Sequence, residues 1–399
     1  MPARGGGRAA LSPDARRLLA VQAARAFVYG LGSVVIGVSL ERAGRSGTQV
    51  GAVLGCLLGG AALVSVLLAR YGDRVGRRHA YCALLVVMGG AGAVFALTAW
   101  TPALALAALT GTVSTDVVES GPFTSLEQAM LPHAAAADPT RLFGLYNTVA
   151  TLAGSLGALA AVGAGSQRWL LAYPVAAALG LVFALRLSAG VELGRELDQG
   201  PRPPLHRSRG IVLRLSGLFA LDSFGGGLVV QTFIAYWLAR KFGASHQLLG
   251  AVFFGIGFLQ ALSFQAAVRL AGRFGLLRTM VFSHLPSNLL LAAIPFAPNL
   301  TSAVALLLAR FALSQMDVPT RQAYVVAIVE PDERTAAAAY TNTARYVTRP
   351  FAPLVGGALT GLALGAPFVI AGALKSVYDL GLYALFRRVE PETEAAGSA

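Results

Sequence analysis

Along most of this chain the polar positions are punctuation. Long runs of Ala, Leu, Val, Gly and Phe are separated by short clusters of Arg, Gly, Pro and acids. A helix needs about 20 apolar residues to cross a hydrocarbon layer of ~30 Å. On that measure the pattern predicts twelve spans, at 18–40, 48–69, 80–100, 103–124, 142–164, 168–187, 211–238, 247–270, 279–297, 301–325, 337–362 and 366–386. The runs are continuously apolar instead of alternating with a period of two, and lipid forces each backbone group to bond within its own segment. Helices are therefore expected, not a membrane barrel. The longest polar interruption, at 187–210, is rich in Gly, Pro and charge and divides the spans six and six. The expected fold is an all-α membrane protein with twelve transmembrane helices in two pseudo-symmetric six-helix bundles. Its parts are an N-terminal tail (1–17), a first bundle (18–187), a linker (188–210), a second bundle (211–386) and a C-terminal tail (387–399).

Composition agrees with that division and sets an orientation. The chain is 55% hydrophobic and 13% charged, with mean hydropathy +0.63, outside the range of an ordinary water-soluble domain. Of the 32 Lys and Arg residues, twenty fall in the tails and loops on one face and five on the other. The positive-inside rule then places both termini in the cytoplasm. Spread over short loops, the net charge of +13 forms no continuous patch for nucleic acid. Cys56 and Cys82 lie inside apolar runs and read as packing residues. No small-residue cleavage site follows the basic N-terminus, so the first span is expected to stay in the membrane. No phosphate-binding loop, nucleophile motif or metal-ligand spacing appears, so no enzyme, cofactor or nucleotide-driven pump is predicted. Arg outnumbers Lys 30 to 2 in a chain rich in Ala and Gly, which points to a GC-rich bacterial genome and an inner (plasma) membrane.

The halves also resemble one another at an offset of about 195 to 200 residues. LERAG (40–44) meets LARKFG (238–243), GAVLG (51–55) meets GAVFFG (250–255), DRVG (73–76) meets GRFG (272–275) and YNT (146–148) meets YTNT (340–343). Four matches in one order predict a duplicated unit, with a substrate site at the repeat interface near mid-membrane.

The densest charge cluster between apolar runs is ARYGDRVGRR (69–78). It resembles the loop between helices 2 and 3 of the major facilitator superfamily, G-x-x-x-D-R-x-G-R-[KR], with Ala69 in place of the first glycine and Gly72, Asp73, Arg74, Gly76, Arg77 and Arg78 following. With twelve spans and a central linker, the resemblance covers the whole chain. It implies a secondary transporter whose halves rock about a central site, with this loop as a latch in the outward-facing state. Two patterns of proton-coupled members are not matched: span 4 has no basic residue and span 5 no proline. Their nearest echoes are Arg310 with Gln315, and Pro353 with Gly356 and Gly357.

Ionisable residues at membrane depth cost at least ~2.5–3.5 kcal/mol each, so each needs a partner, a wet cavity or a function. On span 10, Arg310, Ser314, Asp317, Arg321 and Tyr324 share one helical stripe, with Pro319 expected to bend the helix. Span 11 adds Asn342, Arg345 and Arg349. Asp317 and Arg321, at i,i+4, either neutralise each other in a bracing network or take part in transport. In the first half, Arg25 with Gln22 and Tyr29 lies on span 1, and Asp116 and Glu119 on span 4. The two acids are candidate proton carriers, and Arg25 is in reach of Asp116 as a structural pair. Asp222 holds in span 7 the place of Arg25 in span 1. Lys375 and Asp379 are expected to pair along span 12, Tyr236 and Trp237 to sit in the interfacial belt, and His284 to be ordinary. The expected function is proton-driven efflux, as an antiporter, of a small organic compound, amphipathic or anionic. Uptake of an organic anion is the alternative, and a non-transporting sensor or scaffold the alternative of another class. A small-molecule substrate, the bilayer and a monomeric state are the expected partners and form.

Overall fold

A computed structural model describes residues 11–114, 117, 121–134, 139–191, 207–329 and 333–388. Among the described residues ten helical stretches, five in each half, are long and apolar enough to cross a membrane; expected spans 4 and 11, broken into shorter helices, are not among them. The first half holds α1 (Pro13–Arg42), α2 (Gly47–Val75), α3 (Arg77–Leu97), α4 (Thr101–Leu109), α5 (Pro122–Ala134), α6 (Pro139–Ala160) and α7 (Ala172–Ala184). The second holds α8 (Arg209–Leu228), α9 (Gln231–Phe242), α10 (His246–Phe274), α11 (Leu276–Ala293), α12 (Leu300–Ser314), α13 (Asp317–Ala327), α14 (Arg334–Thr348), α15 (Ala352–Leu359) and α16 (Ala366–Phe386). The first helix starts at Pro13, inside the expected tail. Ser12 caps it by accepting from the Ala15 amide at 3.1 Å, and Pro13 occupies a first-turn position whose N–H would have no helical partner anyway.

Four of the twelve expected spans are each divided between two α-helices. Span 7 breaks between α8 and α9, span 10 between α12 and α13, and span 11 at a 3₁₀ turn, Arg349–Phe351. Span 4 departs furthest from expectation: α4 stops at Leu109 and α5 resumes at Pro122 and runs to Ala134, ten residues beyond the predicted end at 124. The dipeptide Gly121–Pro122 restarts a helix where the sequence pattern suggested an exit. Such breaks at membrane depth persist where protein or a cavity satisfies the freed backbone, and Tyr29 donates its hydroxyl to the Thr112 carbonyl at 2.6 Å beside this one.

The duplication is visible in the backbone. Gly76 and Gly275, 199 residues apart, hold the tight turns before α3 and α11 with φ of +90° and +82°. A side chain is strained in that region, which fixes glycine at both turns. Gly44 and Gly243 form a second such pair, both at φ +66°.

The halves meet at the end remote from the termini. A Cβ on Gly51 of α2 would lie 2.2 Å from the Pro353 carbonyl oxygen, and one on Gly250 of α10 would lie 2.6 Å from the Ala158 carbonyl oxygen. Gly51 and Gly250 are again 199 apart, so the seal includes two repeat-related backbone contacts. Gln231 donates to Ser33 Oγ at 2.8 Å and Tyr236 to the Arg45 carbonyl at 3.1 Å across the same end. Further along α2, Leu63, Val66 and Leu67 are exposed. Tyr236 and Trp237 are not interfacial as the pattern suggested. Both are buried, Trp237 against Phe368 at a centroid distance of 4.7 Å, because α9 is clamped between α1 and α16. Trp100 and Trp169 are exposed, as a belt requires.

Candidate functional site

Between the halves lies a cavity of about 270 Å³, near the small end of the ~300–1,000 Å³ typical of small-molecule sites. The first half contributes Val117 and, from α6, Thr151, Gly154, Ser155 and Ala158. These groups carry no charge. Among the described residues every charged group on the lining comes from the second half: Asp222 from α8, Arg310 from α12, Asp317 and Arg321 from α13, Arg345 from α14, Arg349 from the 3₁₀ turn and Lys375 from α16. Phe253, Ile256, Gln260 and Phe264 of α10 and Phe311 of α12 supply an apolar wall with one amide. All three breaks of the second half open at this cavity: Val229 and Val230, Gln315, and Arg349 line it. Where the helix stops, side chains and free carbonyls turn inward.

Asp222 is the hub of the charged wall. Its Oδ1 accepts a short hydrogen bond from Lys375 Nζ, and its Oδ2 lies 3.6 Å from Arg321 Nη1. Arg321 donates to Asp317 Oδ2 at 2.9 Å, the i,i+4 pair expected from the spacing. Lys375 does not pair with Asp379. The latter accepts from His284 Nδ1 at 2.9 Å and from Asn288 Nδ2 at 2.8 Å on α11. The packing of α16 between α8 and α11 turns the two side chains to different neighbours, overriding the local pairing. His284 is thus a member of the network and lines the cavity. Among the described residues the wall holds five permanent cations and two carboxylates.

Arg310 stands apart. It is 9% exposed, its guanidinium lies 4.4 Å from the Phe311 ring centroid, and its Nε and Nη1 have no hydrogen-bond partner among the described residues.

The matching place in the first half is sealed. Arg25 Nη2 donates to Glu127 Oε2 at 2.5 Å and to Gln22, while Tyr81 and Tyr146 donate to the two Glu127 oxygens at 2.5 Å each. Arg25 also lies 4.7 Å from the Phe123 ring centroid. Neither Arg25 nor Tyr29 lines the cavity, so both leave the candidate substrate site. The partner of Arg25 is Glu127, which the sequence pattern had left in a loop. Had the repeat offset been carried from Arg321, it would have landed within a few residues of Glu127. Asn342 is exposed on α14 and does not line the cavity, unlike Arg345 and Arg349. Asp116 and Glu119 lie outside the described residues, as do most of the linker, residues 1–10 and residues 389–399. In the loop between α2 and α3, Gly76 makes its turn, and Arg78 donates to the Leu187 carbonyl at 3.2 Å within its own half. The side chains of Ala69, Gly72, Asp73 and Arg74 lie outside the described residues.

Residues 215–399 match the sequence profile of the Major Facilitator Superfamily. An uncharacterized membrane protein of Saccharomyces cerevisiae is 26% identical over 433 aligned positions, covering 95% of each chain. Among solved structures, the nucleoside transporter NupG superposes with a TM-score of 0.73 at 14% identity, covering 94% of this chain and 99% of its own. A D-xylose-proton symporter superposes at 0.72 with 16% identity, over 95% and 98% of the two chains. A bacterial homolog of the human lysosomal transporter Spinster, inward-facing and occupied, superposes at 0.71 with 16% identity, over 94% and 96%. These likenesses cover both halves and the cleft between them.

Proposed function

We propose that this chain, whose residues 215–399 match the Major Facilitator Superfamily profile, is a carrier of that kind that moves a small organic solute by alternating access, proton-driven, through the cavity between its halves. The observation behind this is the asymmetry of closure. The halves are sealed by backbone contacts at the end remote from the termini, and the cavity borders that seal at Ala158. Such a shape is one of the two states that a rocking carrier alternates between. With both termini in the cytoplasm, as the distribution of basic loops favours, it is the inward-open state. The proton would be carried by a carboxylate on the charged wall, where Asp222 and Asp317 share their cations and can exchange partners.

Export of the solute from a bacterial cell is the direction expected from sequence, and uptake is the second reading. What supports uptake is the superposition on a D-xylose-proton symporter, a carrier that moves solute and proton together. The experiment is accumulation of a compound panel in efflux-deficient bacteria expressing wild type or Asp222→Asn at equal levels, with and without a protonophore. Lower accumulation that protonophore and substitution both abolish supports export. Higher accumulation with the same two sensitivities supports uptake. Movement insensitive to the protonophore removes the proton from the scheme, and no movement in either direction overturns the carrier reading.

A further inference from the structure

Of the cations on the cavity wall, Lys375 and Arg321 are matched by the carboxylates Asp222 and Asp317. Arg310 is different in kind. More than nine-tenths of it is buried, yet two of its guanidinium nitrogens meet no acceptor among the described residues; the Phe311 ring lies 4.4 Å away, and the charge of Asp222 acts on it without a hydrogen bond to those nitrogens. The energies do not balance. A cation over a ring gains about 0.5–2 kcal/mol, whereas each buried donor left without an acceptor costs about 1–3 kcal/mol and a charged one more. A guanidinium held this way at a cavity wall, in a chain that pairs its other deep cations, is missing an acceptor.

We propose, resting on the carrier reading above, that Arg310 is the seat of the solute's anionic group, a carboxylate or phosphoryl of a small organic molecule whose body lies on the apolar wall of α10. A planar guanidinium with several donors matches both oxyanions. The excess of cations on the wall favours a net negative guest. Phe253, Ile256 and Phe264 offer a surface for an apolar or aromatic body, and Gln260 among them a single amide for a polar substituent. The cavity volume of about 270 Å³ limits the guest to a molecule of a few tens of atoms at most.

The test uses purified full-length protein in detergent at constant ionic strength, titrated with benzoate, phenyl phosphate or the neutral benzamide while the unfolding temperature is followed. The expected result is a saturable rise with at least one of the anions and none with benzamide, and an apparent affinity for that anion weakened on the order of tenfold in Arg310→Gln. Arg310→Lys, which keeps the charge but loses the planar fork, should fall between. Preference for benzoate assigns a carboxylate seat, and preference for phenyl phosphate a phosphoryl seat. Should Arg310→Gln not fold, phenylglyoxal modification of the wild type, mapped by mass spectrometry, takes its place: the bound anion should shield Arg310. Absence of binding by both anions, binding unchanged in Arg310→Gln, or modification of Arg310 unaffected by the anion would each overturn the assignment. A neutral solute carried equally well by wild type and Arg310→Gln would overturn the seat and leave the carrier intact. Only the failure of every solute to move counts against the carrier itself.

Discussion

The two halves hold an ion pair at the same place, with the signs exchanged. In the first, the cation sits on α1 and the anion on α5, as Arg25 and Glu127. In the second, the anion sits on α8 and the cation on α13, as Asp222 and Arg321. Arg25 and Asp222 are 197 residues apart, and Glu127 and Arg321 are 194 apart. What differs is the surroundings. Glu127 is fully enclosed by Arg25, Tyr81 and Tyr146, so its charge is matched and fixed. Asp222 is divided between Lys375 and Arg321 at the edge of a cavity. A pair with saturated partners makes a rigid body; a carboxylate with competing partners beside a wet space can change them. Among the described residues, the first half's pair is thus enclosed in protein and the second half's faces the cavity.

The largest effect should come from opening the sealed pair. Glu127→Ala leaves Arg25 buried without its counter-charge, and a loss of about 3–5 kcal/mol is expected, read as a large fall in unfolding temperature or no monodisperse protein. The double variant Arg25→Gln with Glu127→Gln should recover much of that loss, because no lone charge remains. Full stability of Glu127→Ala would erase the contrast between the halves. Next, Asp222→Asn should lower transport at least on the order of tenfold while costing only about 1–2 kcal/mol, since Lys375 borders the cavity and can be hydrated there. Equal losses of stability for the Asp222 and Glu127 variants would mean that both networks are merely structural. Third, Gly51→Val or Gly250→Val should keep the sealed end apart, since even a Cβ would collide with backbone. Cysteine accessibility at that end should rise on the order of tenfold, a shift of about 1.4 kcal/mol in the balance of states. The smallest effect is expected for Tyr236→Phe, which removes one hydrogen bond between the halves. A change of about 0.5–1.5 kcal/mol in the same accessibility balance should leave solute affinity unaltered.

Much of the architecture was legible because length and hydropathy carry it. The spans, the two halves and the offset of the repeat all follow from runs of apolar residues and a few glycines. The charged stripe of span 10 was legible too, since i,i+3 and i,i+4 spacings place Arg310, Asp317 and Arg321 on one side. What escaped was set by packing between distant segments. Glu127 lay beyond Gly121–Pro122, where a rule for ending helices took an interruption for a terminus. Lys375 and Asp379 satisfy the geometry of a local pair, but α8 and α11 offer each a better neighbour. His284 is a single histidine in a sequence of apolar residues, and nothing within its own segment announces Asp379. Trp237 carries the usual mark of an interfacial anchor, and only the clamp between α1 and α16 puts it inside.

Gly76 and Gly275 outlast the divergence around them. The two repeats carry an arginine in one where the other has an aspartate, and DRVG in one where the other has GRFG, differences that surrounding side chains can accommodate. A backbone turn at φ near +90° has no such latitude, since every alternative to glycine adds the same carbon in the same place. The history of the duplication is thus recorded most durably at positions that have no side chain to change.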